Sequence, residues 1–190
     1  MLEIMSKTAS IENTATKKFV EMIRSDSDIR MRTALLRPSY TDDLELVVVP
    51  NVPMKKATVA HCWFNCLKAQ KAGHGDVVYG WALWYDATPA GDIFFSQHHA
   101  VLRTPTGLVD ITPYIAPNGN TAAPKAITFL VDSRVPFDIE RGAFPASLIW
   151  NSKSGERFWG ARIGPTTSWT QYSDYGTCNF EDENWQRYLP

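Results

Sequence analysis

Ile11, Ala15, Phe19, Met22 and Ile23 follow one another at steps of four, four, three and one. That is helical spacing, and it places the five on one face. The pattern predicts an amphipathic helix over 11–24, with Ser10 as its N-cap, packed as a flank and carrying no chemistry. Ser25–Asp43 is charged and irregular and ends in a turn signal, Ser39 to Asp43. Leu44–Val49 then reads as a buried strand, stopped by Pro50 and Pro53. A second helical run, Cys62–Ala72, is closed by Gly73 as a C-cap. Strands are predicted at Val77–Tyr85, Ile93–Thr104, Leu108–Thr112 and Ala126–Val131, with Pro105-Thr106-Gly107 joining the second to the third as a tight hairpin turn. Beyond Asp132 the chain is rich in Trp, Gly, Pro and Ser, and the periodicity fades. Phe137–Pro190 is therefore expected to be irregular coil with short strands wrapping the core. Its Trp150, Trp159, Trp169 and Trp185 read as packing anchors.

Charge sharpens this outline. Between Cys62 and Val131 only eight residues are charged (Lys68, Lys71, Asp76, Asp86, Asp92, Arg103, Asp110 and Lys125), so this stretch is the expected core. The whole chain of 190 residues has 19 basic and 20 acidic side chains, a net charge of −1. Such a balance offers nothing to attract nucleic acid or an anionic membrane surface. No apolar run approaches the length of a membrane span. The size and the 44% hydrophobic content fit one domain with its own core. The expected organisation is a lead-in over 1–57, a core over 58–132 and a wrapping segment over 133–190. Three cysteines and an N-terminus without the apolar core of a secretory signal point to a reducing, cytoplasmic setting.

The candidate chemistry is concentrated. All four histidines, His61, His74, His98 and His99, and two of the three cysteines, Cys62 and Cys66, lie between positions 61 and 99. Asp110 sits between Val109 and Ile111 inside an apolar strand, where a carboxylate needs a partner. Cys62 opens a predicted helix, where free amides and the macrodipole favour a thiolate. Cys66, one turn further in, receives less of this field. An activated thiol also needs an imidazole, and the imidazole an orienting group. Adjacent strand residues face opposite ways, so only one of His98 and His99 can share a face with Asp110. A two-residue turn, with Arg103 opposite Leu108, selects His99; a three-residue turn, with Thr104 opposite Leu108, selects His98. The hairpin sequence admits both.

The succession Cys62-Trp63-Phe64-Asn65, Tyr79-Gly80-Trp81, His99-Ala100-Val101 and Gly107-Leu108-Val109-Asp110-Ile111-Thr112-Pro113 resembles the transglutaminase-like branch of the papain-like cysteine enzymes. In particular it looks like a group of bacterial and phage proteins of unassigned function. Those carry Cys-x-x-Asn, Gly-Trp, His-Ala-Val and Asp-(Ile/Val)-Thr-Pro in this order, and the likeness covers about residues 58–132. The resemblance implies an α+β fold with a papain-like core, in which the nucleophile helix packs on a mainly antiparallel sheet. It also implies Cys62 as nucleophile, His99 as general base and Asp110 as orienter, acting on an amide or ester of a protein or peptide substrate, without a cofactor. Val101 stands where transglutaminases usually carry an aromatic, a difference that bears on substrate class.

Two rival readings use the same residues. Cys62 and Cys66 have ligand-like C-x3-C spacing, and His99, His74 or Asp110 could complete a zinc site; the second Cys or His pair of common structural sites is missing. Alternatively the chain is an interaction or inhibitor protein on a papain-like scaffold, its triad silent. Cys66 and Cys178 are assigned to packing and His74 to a solvated turn. His61 stands beside the helix start as a surface or subsite group, and Tyr79, Trp81 and Trp84 are divided between core and an apolar cleft.

Overall fold

A computed structural model of the chain describes residues 7–29, 44–114, 124–162, 169–172, 177–179 and 184–190. The segment 30–43, including the predicted turn at Ser39–Asp43, lies outside the described residues, as do the side chains of Trp169 and Cys178. The protein is α+β. Its elements are β1 (Lys7–Thr8), α1 (Thr14–Ser25), β2 (Glu45–Pro50), α2 (Cys62–Lys71), β3 (Asp76–Asp86), β4 (Ile93–Thr104), β5 (Gly107–Val109) and β6 (Ala126–Val131). They continue with β7 (Ala143–Pro145), β8 (Ser147–Asn151), β9 (Arg157–Arg162), β10 (Trp169–Tyr172), β11 (Thr177–Asn179) and a 3-10 turn at Trp185–Tyr188. No helix among the described residues is long and apolar enough to cross a membrane.

One antiparallel sheet organises the rest, in the order β10-β9-β8-β4-β3-β6-β2, with β1 beside β3 and β5 beside β4. Its long central hairpin, β3 and β4, lies within the charge-poor stretch of the sequence. The C-terminal segment departs from expectation, because β8, β9 and β10 extend this sheet rather than wrap it as coil. Trp150 and Trp159 are carried on those strands and are buried, as is Trp185. They are packing anchors. The sheet also curls back on itself. The end of β2 is stitched to the residues after β5 by Asp110 N–H to the Pro50 carbonyl (2.9 Å), Val52 N–H to Asp110 (2.8 Å) and Met54 N–H to Ile111 (3.0 Å). Pro50 can end β2 here because the contact uses its carbonyl and needs no N–H.

The helices cover one face, called here the outer. Helix α1 is capped by Asn13, whose Oδ1 accepts from Ala15 N–H at 2.8 Å, and not by Ser10. Ser10 instead ends the preceding turn, its carbonyl accepting from Asn13 N–H. Phe19, Val20 and Ile23 of α1 pack against Trp81, Leu83, Phe94, Leu130 and Trp150. Phe19 stacks on Trp150 at 6.2 Å between centroids. A side chain of this size, fully buried, contributes roughly 1.5–3 kcal/mol. The far end of α1 is held by a buried ion pair. Arg134 grips Asp132 with Nε and Nη2, both at 2.8 Å, and its Nη atoms also donate to the carbonyls of Ile23 and Arg24. A guanidinium thus satisfies the open carbonyls at a helix C-terminus, where a cation is favoured.

Helix α2 packs on the neighbouring part of the same outer face, against Ala100, Leu102 and Ile111. It ends at Lys71 with Ala72 as C-cap. Gly73 (φ +77°) and His74 then return their N–H groups to the carbonyls of Gln70 and Ala69. The left-handed conformation at Gly73 explains the glycine there. His74 is exposed.

Candidate active site

The β4–β5 hairpin has the two-residue register, with Arg103 opposite Leu108 and Thr104 opposite Gly107. Asp110 therefore falls on the face that carries His99, and His98 points the other way. That inner face lies within the curl of the sheet, with Val49, Ala82, Trp84, Phe95, Val101, Ile127, Phe129 and Ile149. Gly80 lies opposite His99 on β3. A Cβ there would collide with the Leu130 carbonyl and come within 2.7 Å of the Phe129 ring. Glycine lets that ring stand edge-on to His99 (6.3 Å). This is the local reason for a glycine before Trp81.

The body of α2 lies against Ala100, Leu102 and Ile111, on the face opposite His99. The two still meet, because β4 pairs with β8 over Ile93–Phe95 and with β5 over Leu102–Thr104, leaving the intervening edge without a strand partner among the described residues. The helix start sits at this gap. Cys62 is the first helical residue, and it lies near enough to His99 for its charge to act on the ring.

His99 Nε2 lies 3.3 Å from Asp110 Oδ1. That oxygen also accepts from Thr112 N–H at 3.0 Å, while Asp110 Oδ2 accepts from the Tyr114 hydroxyl at 2.6 Å. The Tyr114 oxygen is 3.4 Å from His99 Nε2. Cys62, His99 and Asp110 are 5%, 4% and 0% exposed, so their charges act with little screening by water. Burial opposes a charged His99, but the charges of Cys62 and Asp110 facing it, with hydrogen bonds to both, push its pKa up to about 10. Burial alone would raise Asp110. The His99 charge and the hydrogen bonds from His99, Tyr114 and Thr112 outweigh it and hold the carboxyl below its ordinary range. Burial pushes the Tyr114 hydroxyl strongly upward, and the neighbouring carboxylate adds to this, so it remains a donor.

His98 has another task. Trp63 Nε1 donates to its Nδ1 at 3.0 Å, and its Nε2 donates to the Val135 carbonyl. Both ring nitrogens are occupied by a neutral tautomer. Burial, more than the adjacent His99, brings its pKa down to about 3 against the support of Val135. The two histidines therefore drive stability in opposite directions with pH. The neutral His98 of the fold contributes stability that is complete above about 6.5 and is lost as pH falls toward 3. The charged His99 contributes stability that is complete below about 6.5 and is lost as pH rises toward 10. Denaturation midpoints measured across pH should show His98→Gln flattening the limb between 3 and 6.5 while leaving the alkaline limb in place.

Of the remaining residues, Cys66 donates its thiol to the Ala100 carbonyl (3.4 Å), and burial first, then the charges of Cys62 and Asp110, keeps it protonated well above the ordinary thiol range. It is a packing residue. Cys62 and Cys66 thus turn to different partners, and no group of three His, Cys, Asp or Glu side chains among the described residues could hold a metal ion. His61 is the N-cap residue of α2, its ring against Tyr188 and Phe64 and its Nδ1 2.6 Å from the Val59 carbonyl. Trp81 is core, its Nε1 donating to Asp132 at 2.9 Å. Tyr79 stacks on His98. Trp84 packs on the inner face, edge-on to Tyr114 at 5.7 Å.

Two contributors carried no sequence signal of their own role. Tyr114 follows the last motif but has no spacing that announces it. Asn65, although part of Cys-x-x-Asn, is a clamp. Its amide bonds both the N–H (2.9 Å) and carbonyl (2.8 Å) of Thr58 and reaches Thr112 Oγ1 (3.3 Å). It ties the turn before Cys62, where Ala60 adopts φ +59°, to the segment bearing Asp110. Left-handed backbone at a non-glycine residue persists only where its surroundings determine it. No family model matches the chain, and searches of curated proteins and of solved structures likewise find no match.

Proposed function

We propose that the protein is a thiol-dependent hydrolase or acyl transferase with Cys62 as nucleophile, His99 as general base and Asp110 as the residue that orients the imidazole. The observation that supports this reading is the contact of Cys62, at the first position of a helix, with a buried imidazole held by a buried carboxylate. Asp110 and Tyr114 occupy the Nε2 side of the ring, which leaves Nδ1 for the thiol. In the reaction, sulfur attacks an amide or ester carbonyl and the proton held by His99 passes to the departing amine or alcohol. The thioester left on Cys62 is resolved by water, activated by His99, or by an acceptor amine. The N–H of Cys62 is among the first amides of α2, which have no partner within the helix, and it would bind the developing oxyanion. A papain-like arrangement of the core, a protein or peptide substrate and independence of a cofactor belong to the same proposal. The test is acyl transfer to Cys62 from an activated ester, read by mass, with Cys62→Ala as the control.

A further inference from the structure

We infer that Tyr114 is a positioning residue, which aims the Asp110 carboxylate at His99 and so sets the orientation of the imidazole toward Cys62. The inference rests on the reaction proposed above but concerns a residue that this reading does not require. Three observations carry it. The shortest contact of Asp110 is the one to Tyr114, at 2.6 Å, against 3.0 Å to Thr112 N–H and 3.3 Å to His99. The two backbone and imidazole donors share Oδ1, so Oδ2 is held by the tyrosine and the carboxylate cannot rotate without breaking that bond. The hydroxyl proton goes to Asp110, which leaves the Tyr114 oxygen free to face the Nε2 proton of His99 at 3.4 Å. His99 Nε2 therefore points between two acceptors, Asp110 Oδ1 and the Tyr114 oxygen, neither of which is close enough to fix the ring alone.

The tyrosine is itself fixed by packing. Its ring lies against His99 (6.2 Å between centroids) and edge-on to Trp84. Phenylalanine would keep these contacts and remove only the hydroxyl. A residue that merely fills space would tolerate that exchange with a change in stability alone. One that aims the acid would also change the ring it serves.

Tyr114→Phe should be compared with the wild type in protein labelled at histidine, following the His99 ring resonances through a pH titration by NMR. Thermal melting serves as a control for folding. The proposal expects the His99 titration to move to lower pH, since the ring loses its aligned acceptors. It also expects alkylation of Cys62 by iodoacetamide at neutral pH to slow by about tenfold, the scale of a small misplacement in an active site. An unchanged His99 titration with a lower melting temperature would overturn it and leave Tyr114 a structural residue. A titration moved to higher pH would overturn it too, because the tyrosine would then be drawing charge away from His99. The ring measurement does not depend on catalysis. If wild-type Cys62 proves unreactive while the His99 titration still moves down, the reaction reading fails and the positioning role stands.

Discussion

His99→Ala should slow alkylation of Cys62 by iodoacetamide at neutral pH by about a hundredfold or more, the scale on which a positioned acid–base group acts. Among the described residues the ring is the one cationic group set against Cys62, and its charge is sustained by Asp110 behind it. Removing it leaves the sulfur without a proton acceptor in a site that water hardly reaches. His98→Ala provides the matched comparison. Its ring is joined to Trp63 and Val135 on the other face of the sheet, so its loss should cost stability and leave the alkylation rate within a few-fold of wild type. Rate constants obtained by intact mass over time, alongside urea midpoints, separate the two effects. Equal slowing in both variants would mean that the effect comes through the fold.

The largest loss of stability is expected from Asp132→Ala, about 3–5 kcal/mol, the range found when one partner of a buried ion pair is removed. Asp132 is fully buried and accepts from Trp81 and three groups of Arg134, including its backbone N–H. Without it, Arg134, only 5% exposed, keeps its bonds to the end of α1 but loses the Asp132 carboxylate. Replacing both partners by apolar residues of similar volume should recover much of the loss, since a buried charge deprived of its carboxylate costs more than an apolar pair. Chemical denaturation of the single and double variants checks this. Because the pair joins α1 to β3 and lies apart from Cys62, the refolded single variant should alkylate at the wild-type rate.

Where the fold was legible, local patterning determined it. Ile93–Thr104 and Ala126–Val131 are runs without Gly or Pro, bounded by turn residues, and they are β4 and β6 to the residue. The helix at Cys62 was legible from Gly73, which is needed for the left-handed turn that ends it. His99 and Asp110 could be paired through the hairpin, but the choice between the two histidines rested on a one-residue difference in the turn, which either loop length satisfies from sequence alone. The register with Arg103 opposite Leu108 decides it. Other features were not local. Strand β8 joins β4 across some fifty residues, and its neighbours β9 and β10 show little alternation, so nothing nearby signals that they enter the sheet. Ser10 and Asn13 are both good N-cap residues. Asn13 prevails because its side chain reaches Ala15 N–H, while Ser10 closes the turn before it. That α2 packs on one face yet reaches a residue of the other depends on the gap between β5 and β8 along β4, which arises only once the sheet is assembled.

The most direct test of the thiol site is acylation by p-nitrophenyl acetate. The wild-type protein, mixed with the ester at neutral pH, should release a burst of nitrophenolate and gain a single acetyl group, found on the Cys62 peptide and removed by hydroxylamine. Cys62→Ala should show no burst, and His99→Ala should acquire the group far more slowly. An acetyl group found on lysines or on Cys178 instead, or one reaching Cys62 equally fast without His99, would contradict the account.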